Sequence, residues 1–177
     1  MFLECDRCQI RPWSLGDAAA LLRHADDPRI AENLRDRFPS PYTPADAEEW
    51  LTIVTQAVPF LDFAIVQGGE PIGGIGLALG CDIERVSAEV GYWIGESHWG
   101  RGFATEAMRS FVPWAMETFA LTRLFATTFA HHEASRRVLE KAGFRLEGIL
   151  RRAAIKRDKV LDMALYGFVP ECYTPRG

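Results

Sequence analysis

Residues 98–108, HWGRGFATEAM, join two patterns that cannot share a conformation. Before them, VSAEVGYWIG (86–95) has the β-branched and aromatic content of a strand. After them, Phe103, Ala107, Phe111, Trp114 and Ala115 repeat at helical spacing through residue 119. The chain must therefore pass from strand to helix within a few residues. Gly100 and Gly102 flank Arg101 in that passage, so the backbone is free to turn, or to approach something closely, where a side chain would clash. Pro113 lies inside the helical pattern and predicts a kink or local break there.

The remaining elements interleave strands and helices. Residues 3–11 read as an opening strand. Ser14-Leu15-Gly16-Asp17 fits a capping box for a helix with Ala18, Leu21 and Leu22 on its apolar face. A short helix over 28–36 is broken by Phe38-Pro39-Ser40-Pro41. Thr43-Pro44-Ala45-Asp46 starts another helix, which carries Trp50, Leu51 and Val54 and ends before Pro59. Runs 60–67 and 71–79 form a hairpin across Gly68-Gly69-Glu70. A strand over 123–130 precedes a helix over 133–143, with Val138 and Leu139 inward and Gly143 as its left-handed stop. Residues 144–168 read as two strands joined by a polar turn near Arg157-Asp158-Lys159. This order predicts an α/β (α+β) fold, a mixed and mostly antiparallel sheet of about seven strands with helices on both faces. Without repeats, low-complexity stretches or linkers, residues 1–177 read as a single domain.

Composition narrows the class. No apolar run reaches the roughly 18 residues that a membrane span needs, and MFLECDRCQIRPW lacks the long apolar core of a signal peptide. A formal charge of −4 gives the molecule as a whole no attraction to nucleic acid or anionic membrane. The expected location is the cytoplasm. Cys5 and Cys8 form a CxxC, but no second CxxC accompanies it, and the pair falls within the opening strand. It reads as free cysteines rather than a metal or redox centre, with Cys81 and Cys172 likewise free. No metal is expected.

A glycine-flanked turn into a helix N-terminus is suited to an anion, because the first amides of a helix lack intrahelical partners and carry the positive end of its dipole. A Walker loop would require Gly-Lys-Ser/Thr, whereas Phe103-Ala104 follows Gly102. A dinucleotide fingerprint would require a third glycine, which is missing. What remains is a short strand–turn–helix gripping a pyrophosphate through its backbone, or simply a tight turn.

Two stretches together carry a resemblance. Tyr92-Trp93-Ile94 with Trp99-Gly100-Arg101-Gly102-Phe103-Ala104-Thr105-Glu106-Ala107 resembles the acetyl-CoA loop of the GNAT superfamily of N-acetyltransferases. Ser135-Arg136-Arg137-Val138-Leu139-Glu140-Lys141-Ala142-Gly143-Phe144, closed by Glu147-Gly148, resembles the second cofactor-contacting helix of that superfamily. The branch that acetylates the N-termini of ribosomal proteins is the most similar, from Ile10-Arg11-Pro12 to the region of Asp162.

The resemblance implies a GNAT fold with a central splayed parallel pair, 86–95 beside 123–130. It implies acetyl-CoA as cofactor, its pyrophosphate on the amides of residues 100 to 105 and its pantetheine arm along Trp93 and Ile94, next to Tyr92. Direct acetyl transfer would use a backbone N–H near Ile94 for the oxyanion, Glu89 as base through water, and Ser135 as donor to the leaving thiolate. Relatives outside the ribosomal branch use a tyrosine as that donor, where Leu139 stands here. His132 replaces the family asparagine that bonds pantetheine, and a ring nitrogen can still donate. Arg136 and Arg137 are candidates for the 3′-phosphate, whereas Lys141 reads as helix surface. Phe38, Tyr42 and Trp50 lie on the expected acceptor side but have the spacing of core aromatics.

The expected acceptor is the α-amino group of a protein or peptide N-terminus. The alternatives are a small amine, such as an antibiotic or polyamine, and a non-catalytic acyl-CoA-binding module. A homodimer is compatible with the sequence, although no residue pattern demands one.

Overall fold

A computed structural model describes residues 2–170; Cys172 lies outside the described residues. Contacts divide the chain into two compact units, each assembled from separated stretches. The first holds residues up to 76 together with Tyr92–Ser110, and the second holds Leu77–Gly91 together with residues from 111 onward.

In the first unit the opening run folds as a two-strand ribbon, β1 (Leu3–Glu4) and β2 (Gln9–Pro12), rather than the single strand expected. Leu3 pairs with Ile10 and Glu4 with Gln9, and the Cys5 N–H donates to the Cys8 carbonyl at 2.9 Å, so Asp6-Arg7 is the turn. Both cysteines of the CxxC thus flank a tight turn instead of lying along a strand. A turn without glycine or asparagine carries no signal strong enough to split the run.

Between β2 and β3 come three helices. α1 (Ala18–Ala25) follows a single 3-10 turn at Leu15–Asp17. The Ser14 N–H donates to Asp17 Oδ2 at 2.8 Å, and Arg11 grips both carboxylate oxygens at 2.7 and 2.8 Å. Burial pushes the Asp17 carboxyl upward, but the Arg11 guanidinium and the Ser14 amide outweigh it and hold the group below the usual carboxylate range. α2 (Pro28–Ala31) is much shorter than 28–36, because the Asn33 N–H bonds to the Ile30 carbonyl as a turn. α3 (Pro44–Gln56) has the expected Thr43 cap, which accepts from the Asp46 amide. The helices bury Leu21, Ala25, Ala47, Leu51 and Val54 with Trp13 and Tyr42 against Ala64 and Val66, while Phe38 and Trp50 pack on the same cluster. These aromatics are therefore core residues.

β3 (Asp62–Gln67) and β4 (Glu70–Leu79) form the expected hairpin, and β2 and β3 pair antiparallel. Phe63, Ala64, Ile65 and Val66 are all buried, which explains an unbroken apolar run instead of alternation. β5 (Ser87–Ile94) starts in the second unit and ends in the first.

In the second unit β5 and β6 (Arg123–Phe129) run parallel, with Ser87, Ala88 and Glu89 opposite Arg123, Leu124 and Phe125. β8 (Lys159–Phe168) pairs antiparallel with β6 and with β7 (Arg145–Lys156). Arg157 and Asp158, at φ 45° and 62°, make the two-residue turn of this last hairpin. Among the described residues the strands are thus mixed and mostly antiparallel with one parallel pair, as expected, and number eight where about seven were expected.

α4 (Phe103–Thr118) leads from the first unit into the second and continues through Pro113, so of the kink or local break expected there the break does not occur. Phe111, Val112 and Ala115 are fully buried around the proline. Burying a large apolar side chain contributes about 1.5–3 kcal/mol, enough to offset the roughly 3 kcal/mol that an interior proline costs. α5 (Glu133–Lys141) ends as expected. Gly143 has φ +93°, its N–H bonds to the Glu140 carbonyl, and the Phe144 N–H reaches back to Leu139, the paired bonds of a Schellman stop. Among the described residues, no helix is long and apolar enough to cross a membrane.

Candidate active site

The strand-to-helix passage lies wholly in the first unit. After Ile94 the chain makes a 3-10 turn at Glu96–His98, then adopts left-handed backbone at Gly100 (φ +71°) and again at Gly102 (φ +86°) before α4 begins. An L side chain is strained at either position, so the local path depends on both glycines. Trp99 anchors the turn, its indole Nε1 donating to the Ile94 carbonyl at 2.6 Å. The first intrahelical bond of α4 runs from the Glu106 N–H to the Gly102 carbonyl at 3.1 Å. Among the described residues, no protein group accepts from the amides of Gly100 to Thr105. These amides lie at the positive end of a 16-residue helix.

The loop's surroundings reinforce this polarity. Arg101 is exposed, with its guanidinium 5.1 Å from the centre of the Phe103 ring. A second guanidinium, not foreseen from the sequence, comes from the β1–β2 turn. Arg7 Nη1 donates to the Arg101 carbonyl at 2.8 Å, and its Cζ lies 5.5 Å from the same ring. Arg7 also binds Glu106 twice, through its backbone N–H at 2.5 Å and its Nε at 2.9 Å. Burial pushes the Glu106 carboxyl upward, but these Arg7 contacts dominate and hold it below its ordinary value. The one carboxylate in the first turn of α4 is thereby neutralised by a partner. Ninety-four residues separate Arg7 from Arg101, and nothing local to either marks the contact.

Beneath the turn, His24 Nε2 lies 2.9 Å from Glu70 Oε1, and its ring meets His98 edge-on at 5.3 Å. Burial, then the nearby His24 and Arg101, hold the His98 imidazole below its ordinary value. A Cβ on Gly95 would lie 2.6 Å from His24 Nδ1, so this junction needs glycine. Gly73 and Gly74 of β4 play the same part against Trp93 and Ile94: a Cβ at Gly73 would meet the Trp93 carbonyl at 2.2 Å, and one at Gly74 the Trp93 indole at 2.7 Å. Trp93 also packs on Phe38, with ring centres 5.8 Å apart, so its side chain is committed to the protein and its backbone is what it can offer a ligand. Tyr92 is half-buried and Ile94 buried.

The other candidates lie in the second unit. Glu89, half-buried on β5, accepts from Thr127 Oγ1 of β6 at 2.7 Å. This bond fixes one carboxylate oxygen and orients the group. His132 caps α5, its carbonyl accepting from the Arg136 N–H at 3.2 Å. Ser135 is half-buried in the first turn, and Leu139 is fully buried in the core. Arg136 is engaged within the protein, where Nε donates to Tyr166 Oη and Nη1 to the Ala130 carbonyl, both at 3.1 Å. Tyr166 in turn donates to Glu140 at 2.7 Å, so this network ties α5 to β8. The loop thus presents open backbone amides at the positive end of a helix, whereas Glu89 and Ser135 are polar groups with the chemistry of a base and a hydrogen-bond donor.

Comparison with known proteins gives these features a family. Residues 7–145 match the acetyltransferase (GNAT) domain. The chain is 26% identical over 178 residues to an uncharacterised N-acetyltransferase, p20, of Bacillus licheniformis, a match that covers 97% of each. It is 32% identical over 80 residues to the ribosomal-protein-serine acetyltransferase of Escherichia coli strain K12, spanning 45% of each. The solved structure of Mycobacterium smegmatis RimJ in complex with CoA-disulfide superimposes with a TM-score of 0.85 at 25% identity, over 97% of this chain and 88% of that one. The chain belongs to the acetyltransferase (GNAT) domain family and is an N-acetyltransferase.

Proposed function

We propose that this enzyme takes acetyl groups from acetyl-CoA to the α-amino group of a protein or peptide N-terminus in the cytoplasm, acting as a single domain. The observation that carries the cofactor part is the set of open amides from Gly100 to Thr105 at the mouth of α4. They have the charge and direction to receive a diphosphate, and Arg101 adds charge-assisted contacts. RimJ, which has the same fold, is described with a coenzyme A disulfide. Support for the acceptor comes from the similarity to the ribosomal-protein-serine acetyltransferase.

Acetyl-CoA supplies the activated thioester, and the chain's own groups do the rest. The backbone of Tyr92, Trp93 and Ile94 lines the pantetheine arm, and the Ile94 N–H receives the developing oxyanion. His132 donates a ring N–H to the arm. Arg136, which also bonds Tyr166 and the Ala130 carbonyl, would meet the 3′-phosphate through its remaining donors. Glu89 takes the amine proton through water, and Ser135 donates a hydrogen bond to the departing thiolate. The demand on the base is modest. An α-amino group with a pKa near 7.8 is about one-third neutral at pH 7.5, whereas a lysine near 10.4 is only about 0.1% neutral.

The test is thiol release from acetyl-CoA against N-terminal peptides, the same peptides with blocked α-amines, and small amines such as polyamines. The expected result is turnover on free α-amines that blocking abolishes. Turnover confined to small amines would refute the acceptor assignment, and coenzyme binding without turnover on any acceptor would refute catalysis.

A further inference from the structure

The β1–β2 turn brings together three ligating groups that acetyl transfer does not use. Cys5 and Cys8 are directly opposed across the two-residue turn, which puts their side chains on one face of the ribbon. Glu106 reaches the same face from the first turn of α4. One donor atom from each, two Sγ and one carboxylate oxygen, all lie within 4.8 Å of one another. We propose that Cys5, Cys8 and Glu106 hold one Zn2+ ion, with water as the fourth ligand, and that the ion braces the anion loop from behind.

Geometry supports a tetrahedral ion. Zn–S bonds of about 2.3 Å and Zn–O bonds of about 2.1 Å put tetrahedral ligand atoms roughly 3.8 Å (S to S) and roughly 3.6 Å (S to O) apart. Cys8 Sγ is already 3.8 Å from Glu106 Oε1, so ligation needs shifts of at most about an ångström. Two cysteines separated by two residues are a spacing that structural zinc sites use, and a pair of thiolates selects Zn2+ over Mg2+ or Ca2+. Cys8 is buried whereas Cys5 is half-exposed, which leaves the fourth position on the solvent side.

A divalent cation would turn the two cysteines and the carboxylate from crowded neighbours into ligands. Glu106 is already oriented by the backbone N–H and guanidinium of Arg7, as ligating carboxylates commonly are. On binding, the two thiols each release a proton to solvent, so affinity must rise with pH. Glu106 follows the loop amides directly and Arg7 contacts the loop at Arg101, so the ion would fix the segment that receives the diphosphate.

The test uses the full chain, stripped with a chelator, reduced with a phosphine and titrated with Co2+ as a spectroscopic stand-in. The expected result is saturation at one equivalent, with thiolate-to-cobalt charge transfer in the near ultraviolet and intense tetrahedral bands in the visible, all bleached by Zn2+. Cys5→Ser loses at least tenfold in affinity and much of the charge-transfer band. Glu106→Gln keeps that band but binds at least tenfold more weakly. Cys8→Ser is read only if its circular dichroism is native; the other two variants decide without it. Lowering the pH weakens binding in the parent chain. The absence of a thiolate band at stoichiometric Co2+, or an unchanged titration in Cys5→Ser, would overturn the site. So would a Cys5–Cys8 disulfide that forms in air and persists in the presence of Zn2+.

Discussion

Replacing Gly102 by valine perturbs the proposed anion site through its backbone. Gly102 has φ +86°, and its carbonyl accepts the first bond of α4. A new Cβ would lie 3.0 Å from Arg7 Nη2, the tip of a flexible side chain that can move aside, so the clash itself is cheap. The backbone term is not: left-handed conformation costs an L residue about 1–2 kcal/mol, and more when it is β-branched. The chain relieves that strain by rotating the peptides on either side, which turns the amides of residues 102 to 104 away from a common focus. We expect coenzyme A affinity to fall at least tenfold, about 1.4 kcal/mol, measured by titration calorimetry. Gly69→Val is the matched control. Gly69 has the same φ of +86° in the β3–β4 turn, and nothing lies within 4 Å of its would-be Cβ. It should lose comparable stability in urea denaturation yet bind coenzyme A as the parent does. Equal loss of affinity in both variants, or in neither while Gly102→Val remains folded, would refute the loop assignment.

Other outcomes follow from the same geometry. Ser135→Ala should lower kcat more than it raises the KM for acetyl-CoA in steady-state assays; the reverse pattern would make Ser135 a binding residue. Arg7→Ala removes the guanidinium from the Arg101 carbonyl and from Glu106, and should raise the coenzyme Kd several-fold, less than Gly102→Val does. Asp17→Ala leaves the mostly buried Arg11 guanidinium without its carboxylate and should cost about 3 kcal/mol in urea denaturation. The Asp17 carboxyl is held below its unfolded value of about 3.9, so its contribution is complete above that pH and is lost as pH falls through the folded value. The His98 imidazole is also lowered, so the unfolded chain takes up that proton first and stability should start to decline below about pH 6.5. Melts from pH 7.5 to 3 check both signs.

What is legible in the sequence is local. The two glycines, the helical repeat from Phe103 and the Gly143 stop appear in the structure where the sequence puts them, because each rests on backbone chemistry within a few residues. Thr43 caps its helix for the same reason. What the sequence hides depends on partners far along the chain. The contact of Arg7 with the loop spans 94 residues, and that of Arg136 with Tyr166 spans 30, so a helix arginine that suggests a phosphate ligand is already engaged with β8. The CxxC reads as part of a strand because Cys5, Arg7 and Cys8 are not turn residues, and Glu106, the third member of the cluster, comes from another element. Pro113 predicts a kink or a local break, and the helix is not broken there, because burial of Phe111 and Val112 is a tertiary gain with no local signature.

The central claim is that peptide N–H groups at the head of α4 receive the coenzyme's diphosphate. Titrating 15N-labelled protein with coenzyme A and following the amide resonances tests it directly. The amides of Gly100, Gly102, Phe103 and Ala104 should shift downfield together and saturate with a single Kd. Saturable binding that leaves those four resonances in place while others move would contradict it.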